Sequence, residues 1–209
     1  MDSTTGTVFV IDDDADVRDG LSRLLRSAGW DVEGFASARP FLDRAQSAVI
    51  GCILLDISMP DMSGPEMHVH LSSLGITLPV IYLTGNATVP TSVQAMKRGA
   101  VDFLEKPIDA DALLPAIGRA VDGHRSACAQ ESRRHAIEER VAQLSVRERE
   151  VLHHVVRGRL NKQIAADLGI ALKTVKVHRG RVMAKMRVRS LAELVQLCDA
   201  ASLIESVEA

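Results

Sequence analysis

Five short apolar runs alternate with amphipathic stretches along the first 125 residues, in the order VFVI, VEGF, GCILLD, PVIYLT and VDFLEK. After the first run, apolar side chains recur at helical spacing from Val17 and stop at Gly29. Further helices are predicted over about 37–46, 64–74 and 88–98, and a fifth from about residue 109. Strands that alternate with helices predict an α/β doubly wound fold, in which a five-stranded parallel sheet is covered on both faces.

Polar side chains stand at or near the ends of four of these runs: Asp12, Asp13, Asp56, Thr84 and Lys106. Because side chains just past the carboxyl ends of parallel strands converge on one crevice, we expect the five to form one charged site. Carboxylate oxygens suit Mg²⁺, and Asp56 can attack a phosphoryl group while cations balance the charge on the transferring oxygens. The set predicts a phosphoryl-transfer pocket, although each acid taken alone is also typical of a helix cap.

The pattern changes to helices alone after about residue 144. A capping box of Ser145 and Glu148 opens a helix that ends near Gly158. A second helix starts at Asn161 and stops at Gly169, which permits a tight turn.

The third helix of this half has an apolar and a basic face. Val175 and Val182 lie inward at helical spacing, whereas Lys173, Lys176 and Arg179 point outward. A helix that enters the major groove of DNA requires this arrangement. A fourth helix follows, so the second half is predicted to be an all-α four-helix domain of the helix-turn-helix type.

Charge divides the chain in the same way. Residues 1–125 contain 17 Asp and Glu against 10 Lys and Arg, a charge of −7, whereas residues 126–209 contain 10 against 15, a charge of +5. The basic excess is largest over 144–189, where 12 basic residues stand against 3 acidic ones. This asymmetry favours an acidic regulatory domain joined to a domain that binds nucleic acid.

Composition argues against several other classes of protein. The 209-residue chain is 46% hydrophobic, but no apolar run approaches the ~18 residues that span a bilayer, and the N-terminus lacks a signal-peptide pattern. We therefore expect a cytoplasmic protein that makes no membrane contact. Its three cysteines, Cys52, Cys128 and Cys198, fit neither a disulfide framework nor a CxxC metal site.

Residues 8–122 resemble the receiver domain of two-component response regulators, and the five polar residues at the strand ends carry this resemblance. The resemblance implies that Asp56 is the phosphoacceptor, Thr84 the switch hydroxyl and Lys106 the lysine of the site. Phe103 matches the switch aromatic, and the Lys106–Pro107 bond matches a position that is usually cis. The first domain is thus expected to be a flavodoxin-like receiver.

The resemblance also implies a metal site and a dimer surface. Mg²⁺ would be bound by Asp12, Asp13, Asp56 and the backbone carbonyl of Ser58. Phosphorylation would draw Thr84 inward and reshape the helix near 88–98 and the strand VDFLEK. That surface is the expected interface of a homodimer formed on phosphorylation.

Residues 144–186 resemble the LuxR-type helix-turn-helix output domain, and with the receiver they match the NarL/FixJ class. The resemblance implies base contacts from Lys176, Val177 and Gly180 and phosphate contacts from Lys173, Thr174 and Arg179. Two positions depart from the family. Ala171 replaces a Ser or Thr helix cap, and Gly180 offers no side chain for base readout.

The predicted domains are a receiver over 1–122, a helical linker over 123–143 and a LuxR-type DNA-binding domain over 144–209. The predicted function is a transcriptional regulator, not an enzyme, that takes a phosphoryl group from a histidine kinase on Asp56 and then dimerises on double-stranded promoter DNA. RNA polymerase is a further candidate partner.

Three alternatives stay open at this point. One is a receiver regulator that dimerises and binds DNA without phosphate. The second is a phosphorelay module that never touches DNA, which the basic helical segment argues against. The third is a phosphatase of the aspartyl-phosphate kind, for which no second acid is evidently placed as a general acid.

Overall fold

The computed structural model describes residues 6–44, 49–85 and 99–200. The chain divides into two compact units, Met1–Ala127 and Cys128–Ala209. Within the described residues, none of the helices combines the length and the apolar character needed to cross a bilayer.

The first unit contains a parallel sheet of five strands. They are β1 (Thr7–Ile11), β2 (Asp31–Phe35), β3 (Gly51–Asp56), β4 (Val80–Thr84) and β5 (Asp102–Glu105). Their order across the sheet is β2-β1-β3-β4-β5, and every neighbouring pair is parallel. The predicted fold class is therefore confirmed: five apolar runs of the sequence form one parallel sheet.

Four described helices accompany the strands: α1 (Ala15–Ser27), α2 (Ala38–Arg44), α3 (Gly64–Ser73) and α4 (Ala110–Ala142). They correspond to the helices predicted from Val17, over 37–46, over 64–74 and from about 109. The helix predicted over 88–98 lies outside the described residues. The 33-residue α4 begins in the first unit and ends in the second.

The alternation of side chains along each strand builds two cores, one on each face of the sheet. Val8 and Val10 of β1 pack with residues of α1 and α4, including Leu25 and Ile117. Phe9, the intervening residue, packs on the other face with side chains of α2 and α3. Both faces of the central strands are buried, so their polar residues are confined to the strand ends.

After the end of α4, the described residues of the second unit form α5 (Val146–Val156), α6 (Asn161–Leu168), α7 (Leu172–Met186) and α8 (Leu191–Ala200). The predicted capping box is present, because Glu148 accepts from the Ser145 N–H at 2.9 Å and donates its own N–H to Ser145 Oγ. Gly169 follows α6 with a φ of 64°, a left-handed conformation that favours glycine. The turn brings α7 directly after α6.

Candidate functional sites

Two buried carboxylates and an ammonium meet at the carboxyl edge of the sheet. Strands β1 and β3 are paired so that Ile11 lies beside Leu55, which puts the next residues, Asp12 and Asp56, side by side. Lys106 follows β5 and reaches the same place. Three strand ends thus converge as expected for an open parallel sheet.

Lys106 lies between the two acids. Its Nζ is 2.6 Å from Asp12 Oδ2 and donates a hydrogen bond of 2.7 Å to Asp56 Oδ1. The side chain of Asp12 is 0% exposed, that of Asp56 7% and that of Lys106 21%. The other oxygen of Asp56, Oδ2, accepts the backbone N–H of Ser58 at 2.7 Å. These contacts fix the orientation of the Asp56 carboxylate.

The site has an excess of negative charge, because two carboxylates face one ammonium. Burial raises the pKa of Asp12, and this effect outweighs the contact with the Lys106 ammonium and the hydrogen bond that the carboxylate accepts from the Asp14 N–H. Burial acts to lower the pKa of Lys106, but its contacts with Asp12 and Asp56 prevail, so the pKa is raised. One ammonium does not fully compensate two shielded carboxylates, and a second cation is favoured here.

Thr84 and Phe103 lie on the strands that flank this edge. Thr84 ends β4 and is buried, and its carbonyl oxygen accepts the backbone N–H of Lys106 at 2.7 Å. Phe103 lies beside Tyr82 in the sheet and packs, half-buried, against the core on the α2 and α3 side. The Lys106–Pro107 bond is cis, as the family resemblance implies.

Asp13 does not join the other two acids. It is exposed, whereas Asp12 is fully buried, and it lies past the end of β1 in the turn that leads to α1. In the described part of the chain, no three His, Cys, Asp or Glu side chains are grouped closely enough to hold a metal ion. The predicted metal role of Asp13 therefore stays a prediction.

The donor set nevertheless fits Mg²⁺. This ion commonly takes one or two carboxylates and retains several waters, and Asp12 and Asp56 supply two adjacent carboxylates. Asp12 Oδ2 is buried and makes no hydrogen bond of good geometry, although it pairs in charge with Lys106. A cation bound at this oxygen would share it with the Lys106 ammonium, which lies 2.6 Å away.

Two residues that the sequence did not single out hold the acidic loop in place. Arg18 Nη1 donates to the carbonyl oxygens of Asp12 and Asp13 at 2.8 and 3.1 Å. Asp14 caps α1 by accepting the N–H of Asp16, and its own N–H donates to Asp12 Oδ1. Helical spacing places Arg18 on α1, but no pattern in the sequence indicates that its guanidinium turns back to the loop.

A close approach of β3 and α3 shapes the other side of the site. The N–H of Gly64, the first residue of α3, donates to the carbonyl oxygen of Ile57 at 3.0 Å. A Cβ atom at position 64 would lie 2.5 Å from the carbonyl oxygen of Asp56. Glycine is therefore required where the loop after Asp56 closes against the strand.

The second candidate site is the exposed face of α7. Val175, Val182 and Met186 are buried in the core of the second unit. Most of the residues predicted to contact DNA lie on the exposed side: Lys173, Thr174, Lys176, Val177 and Gly180. The helix starts without a side-chain cap, because Ala171 has the backbone conformation of a cap residue but no oxygen to accept an N–H.

Arg179 differs from the other predicted contacts. It is half-buried, and its Nη1 donates to Asn161 Oδ1 at 2.9 Å. Asn161 begins α6, so the guanidinium ties α7 to the start of the preceding helix. The sequence prediction placed Arg179 on the outward face of α7, and the contact with Asn161 was not foreseen.

A partly buried ion pair joins α5 to α7. Lys185 Nζ lies 2.6 Å from Glu148 Oε2, and Glu148 is 3% exposed. The hydrogen bond from Lys185 and then that from the Ser145 N–H lower the pKa of Glu148 to about 2. Lys185 is consequently neutralised inside the unit, although the sequence counts it among the basic residues of α7.

Comparison with known proteins supports both the receiver and the helix-turn-helix domain. The profile of the response regulator receiver domain matches residues 8–118, and that of the bacterial regulatory proteins of the luxR family matches residues 142–198. The transcriptional regulatory protein FixJ of Bradyrhizobium diazoefficiens is 41% identical over 202 residues, 97% of this chain and 98% of that protein. The response regulator protein TodT of Pseudomonas putida is 40% identical over 199 residues, 95% of this chain and 88% of that protein. The solved structure of the response regulator StyR matches with a TM-score of 0.86 at 43% identity, over 94% of this chain and 99% of that one.

Proposed function

The chain belongs to the two-component response regulators of the NarL/FixJ class and is a phosphorylation-dependent transcriptional regulator, and from this premise we propose that Asp56 accepts the phosphoryl group. Receiver domains generally bind Mg²⁺ at the phosphorylation site, and regulators of this class interact with histidine kinases and with DNA. The observation that carries the proposal is the hydrogen bond from Lys106 to Asp56, beside Asp12, in a shielded site at the sheet edge.

Asp56 acts in the proposed reaction as a nucleophile. One of its carboxylate oxygens forms a bond to phosphorus while the bond from phosphorus to the histidine nitrogen of the kinase breaks, and the nitrogen keeps the electron pair. Lys106, which contacts Asp56, would stabilise the negative charge on the transferring oxygens. Asp12 and Asp56, with Asp13 and the Ser58 carbonyl as further ligands, would hold Mg²⁺, which supplies additional positive charge.

Transfer to Asp56 changes the partners of the neighbouring groups. The acyl phosphate brings about −1.5 to −2 charges to the sheet edge, so Lys106 is expected to pair with it. Thr84 ends β4, which is the neighbour of β3 in the sheet. Its hydroxyl is proposed to donate to a phosphoryl oxygen. Phe103 then rotates inward, and the surface around β5 becomes part of the interface of a homodimer, whereas the 88–98 part of the predicted interface lies outside the described residues.

The second unit is proposed to bind double-stranded promoter DNA through α7. Lys176 and Val177 are exposed where base contacts are expected, and Lys173, Thr174 and Arg179 are proposed to contact phosphates. Gly180 lies on the same face and permits close approach of the backbone.

The chain is proposed to consist of three functional segments, namely a receiver over 1–122, a helical linker over 123–143 and a DNA-binding domain over 144–209. The partners are a cognate histidine kinase, promoter DNA, a second copy of the chain and, as a candidate, RNA polymerase. No external substrate is turned over, because Asp56 is both the acceptor and the site of dephosphorylation.

The phosphoacceptor assignment is tested with acetyl phosphate and Mg²⁺. Intact-protein mass spectrometry should show one added phosphoryl group on the wild-type chain and none on Asp56→Asn. Asp61→Asn is a matched control, because Asp61 is an exposed acid in the loop after β3 and no role is proposed for it. Labelling of Asp56→Asn at the wild-type level would contradict the assignment.

A further inference from the structure

Arg179 and Asn161 join the two helices of the helix-turn-helix at one point. Arg179 Nη1 donates to Asn161 Oδ1 at 2.9 Å, across 18 residues of sequence, and both residues are half-buried. Asn161 is the first residue of α6, and Arg179 stands in the middle of α7. The contact fixes the guanidinium relative to both helices.

The partner of Arg179 is neutral, which sets it apart from Lys185 on the same helix. Lys185 pairs with the carboxylate of Glu148 at 2.6 Å, so its charge is cancelled within the unit. Asn161 orients Arg179 without cancelling its charge. A guanidinium carries five N–H donors in a planar fork, and this contact occupies Nη1 alone. The remaining donors keep the geometry that suits a phosphate group.

The surroundings of the pair favour an anion. Lys162, the residue after Asn161, is exposed, as are Lys173 and Lys176 of α7. The first turn of α6 also carries the partial positive charge of a helix N-terminus. Arg179 therefore lies where positive charge from α6 and α7 adds together.

We propose that Asn161 is a positioning residue for DNA binding, which holds the guanidinium of Arg179 ready to contact a backbone phosphate. The inference rests on the proposed function, because it needs α7 to lie on DNA. Asn161 itself acts through Arg179. A phosphate contact positions the protein without reading sequence, so the pair contributes to affinity for every duplex and little to discrimination.

A double-mutant cycle on the full-length chain tests this role. Asn161→Ala, Arg179→Met and the double variant are compared with the wild type by fluorescence anisotropy, with beryllofluoride and Mg²⁺ present. The two probes are a genomic-selected promoter fragment and a scrambled duplex of the same length, each titrated at several salt concentrations. Gln163→Ala is the matched control, because Gln163 accepts the Leu160 N–H at the same start of α6, whereas the hydrogen bond of Arg179 goes to Asn161.

Asn161→Ala should weaken binding to both duplexes by about fivefold, the usual effect of one lost hydrogen bond. Arg179→Met should weaken binding at least as much and make the slope of log affinity against log salt shallower by about 0.9. In the Arg179→Met background, Asn161→Ala should have no additional effect. Gln163→Ala should lower the melting temperature and leave DNA affinity unchanged once the chain is folded.

The outcomes separate the inference from the proposed function. A fivefold loss from Asn161→Ala that persists in the Arg179→Met background overturns the positioning role, and so does an Asn161→Ala variant with wild-type affinity. The same loss from Gln163→Ala also overturns it, because the effect would then come from the start of α6 in general. If the wild-type chain binds neither duplex, the proposed function itself fails, and the inference fails with it.

Discussion

Lys106 donates a hydrogen bond of 2.7 Å to Asp56, a residue 50 positions earlier in the chain. The same ammonium pairs with Asp12 at 2.6 Å. Lys106 therefore compensates part of the negative charge of the resting site, and it is already next to the carboxylate that is proposed to carry the phosphoryl group. The consequences of removing it differ from those of removing an ordinary surface lysine.

Lys106→Met should lower the free energy of unfolding by about 1–3 kcal/mol, because Asp12 and Asp56 lose a charged hydrogen-bond partner in a shielded site. Mg²⁺ should then stabilise the variant more than it stabilises the wild type, since the uncompensated carboxylates bind the cation more tightly. Thermal unfolding with and without Mg²⁺ measures both effects. Lys162→Met, which removes an exposed lysine from α6, is the control. Equal Mg²⁺ shifts in the wild type and Lys106→Met would contradict this account of the site.

The sequence predicted the fold and the main acidic site for a simple physical reason. Apolar runs that end in Asp or Lys reveal both the buried strands and the edge at which they stop. Asp12, Asp56 and Lys106 meet there, as the pattern indicates. Asp13 follows the same run, but it lies in the turn between β1 and α1, where the chain no longer has strand alternation, and it is exposed.

Contacts made by long side chains could not be predicted in the same way. Arg18 and Arg179 each have the helical spacing of an exposed residue, yet Arg18 returns to the carbonyl oxygens of the acidic loop and Arg179 contacts Asn161. Lys185 is one of several basic residues on α7, and only the fold shows that Glu148 neutralises it. Periodicity gives the face of a helix, whereas the partner of a flexible side chain depends on the packing of another element.

Phosphorylation should produce a homodimer. Light scattering after treatment with acetyl phosphate and Mg²⁺ should show the mass of the wild-type chain doubling, because the change at Thr84 and Phe103 reshapes the surface of β5. Val101, just before β5, is 42% exposed in the structure and is a candidate contact. Asp56→Asn should keep the monomer mass under the same conditions. A wild-type mass that does not change with phosphorylation would count against a phosphorylation-dependent dimer.

Glu148 should make the stability of the chain depend on acid pH. Its pKa is lowered from 4.5 to about 2, chiefly by the hydrogen bond from Lys185. A carboxyl with a lowered folded-state pKa stabilises the fold above its unfolded pKa, so this contribution is complete above about 4.5 and is lost as the pH falls toward about 2. Urea unfolding across this range should show a smaller loss of stability in Glu148→Gln than in the wild type.

Glu150→Gln is the control for that experiment. Glu150 lies two residues further along α5 and pairs with Arg147 on the surface, where ion pairs contribute little. The stability of Glu150→Gln should depend on pH in the same way as that of the wild type. If Glu148→Gln also retains the full wild-type dependence between the two pH values, the pair of Glu148 and Lys185 does not stabilise the unit as described.

Ala171→Ser should stabilise α7. Residue 171 already has the extended backbone of a cap residue, with φ −66° and ψ 144°, but its side chain accepts no hydrogen bond. A serine oxygen there can accept an N–H of the first turn, which typically adds about 1 kcal/mol. Urea unfolding measures the gain, and Ala166→Ser, at an exposed position inside α6, should give none. A loss of stability in Ala171→Ser would show that α7 does not need this cap.

The most direct test of the central claim is the affinity of the full-length chain for a genomic-selected promoter fragment, measured by anisotropy at fixed salt. The measurement is made with and without beryllofluoride and Mg²⁺, which together mimic the phosphoryl group. Binding should be tighter with the mimic in the wild type and unaffected by it in Asp56→Asn. Specific binding that is equally tight with and without the mimic would contradict a switch at Asp56 and leave a regulator that binds DNA independently of phosphate.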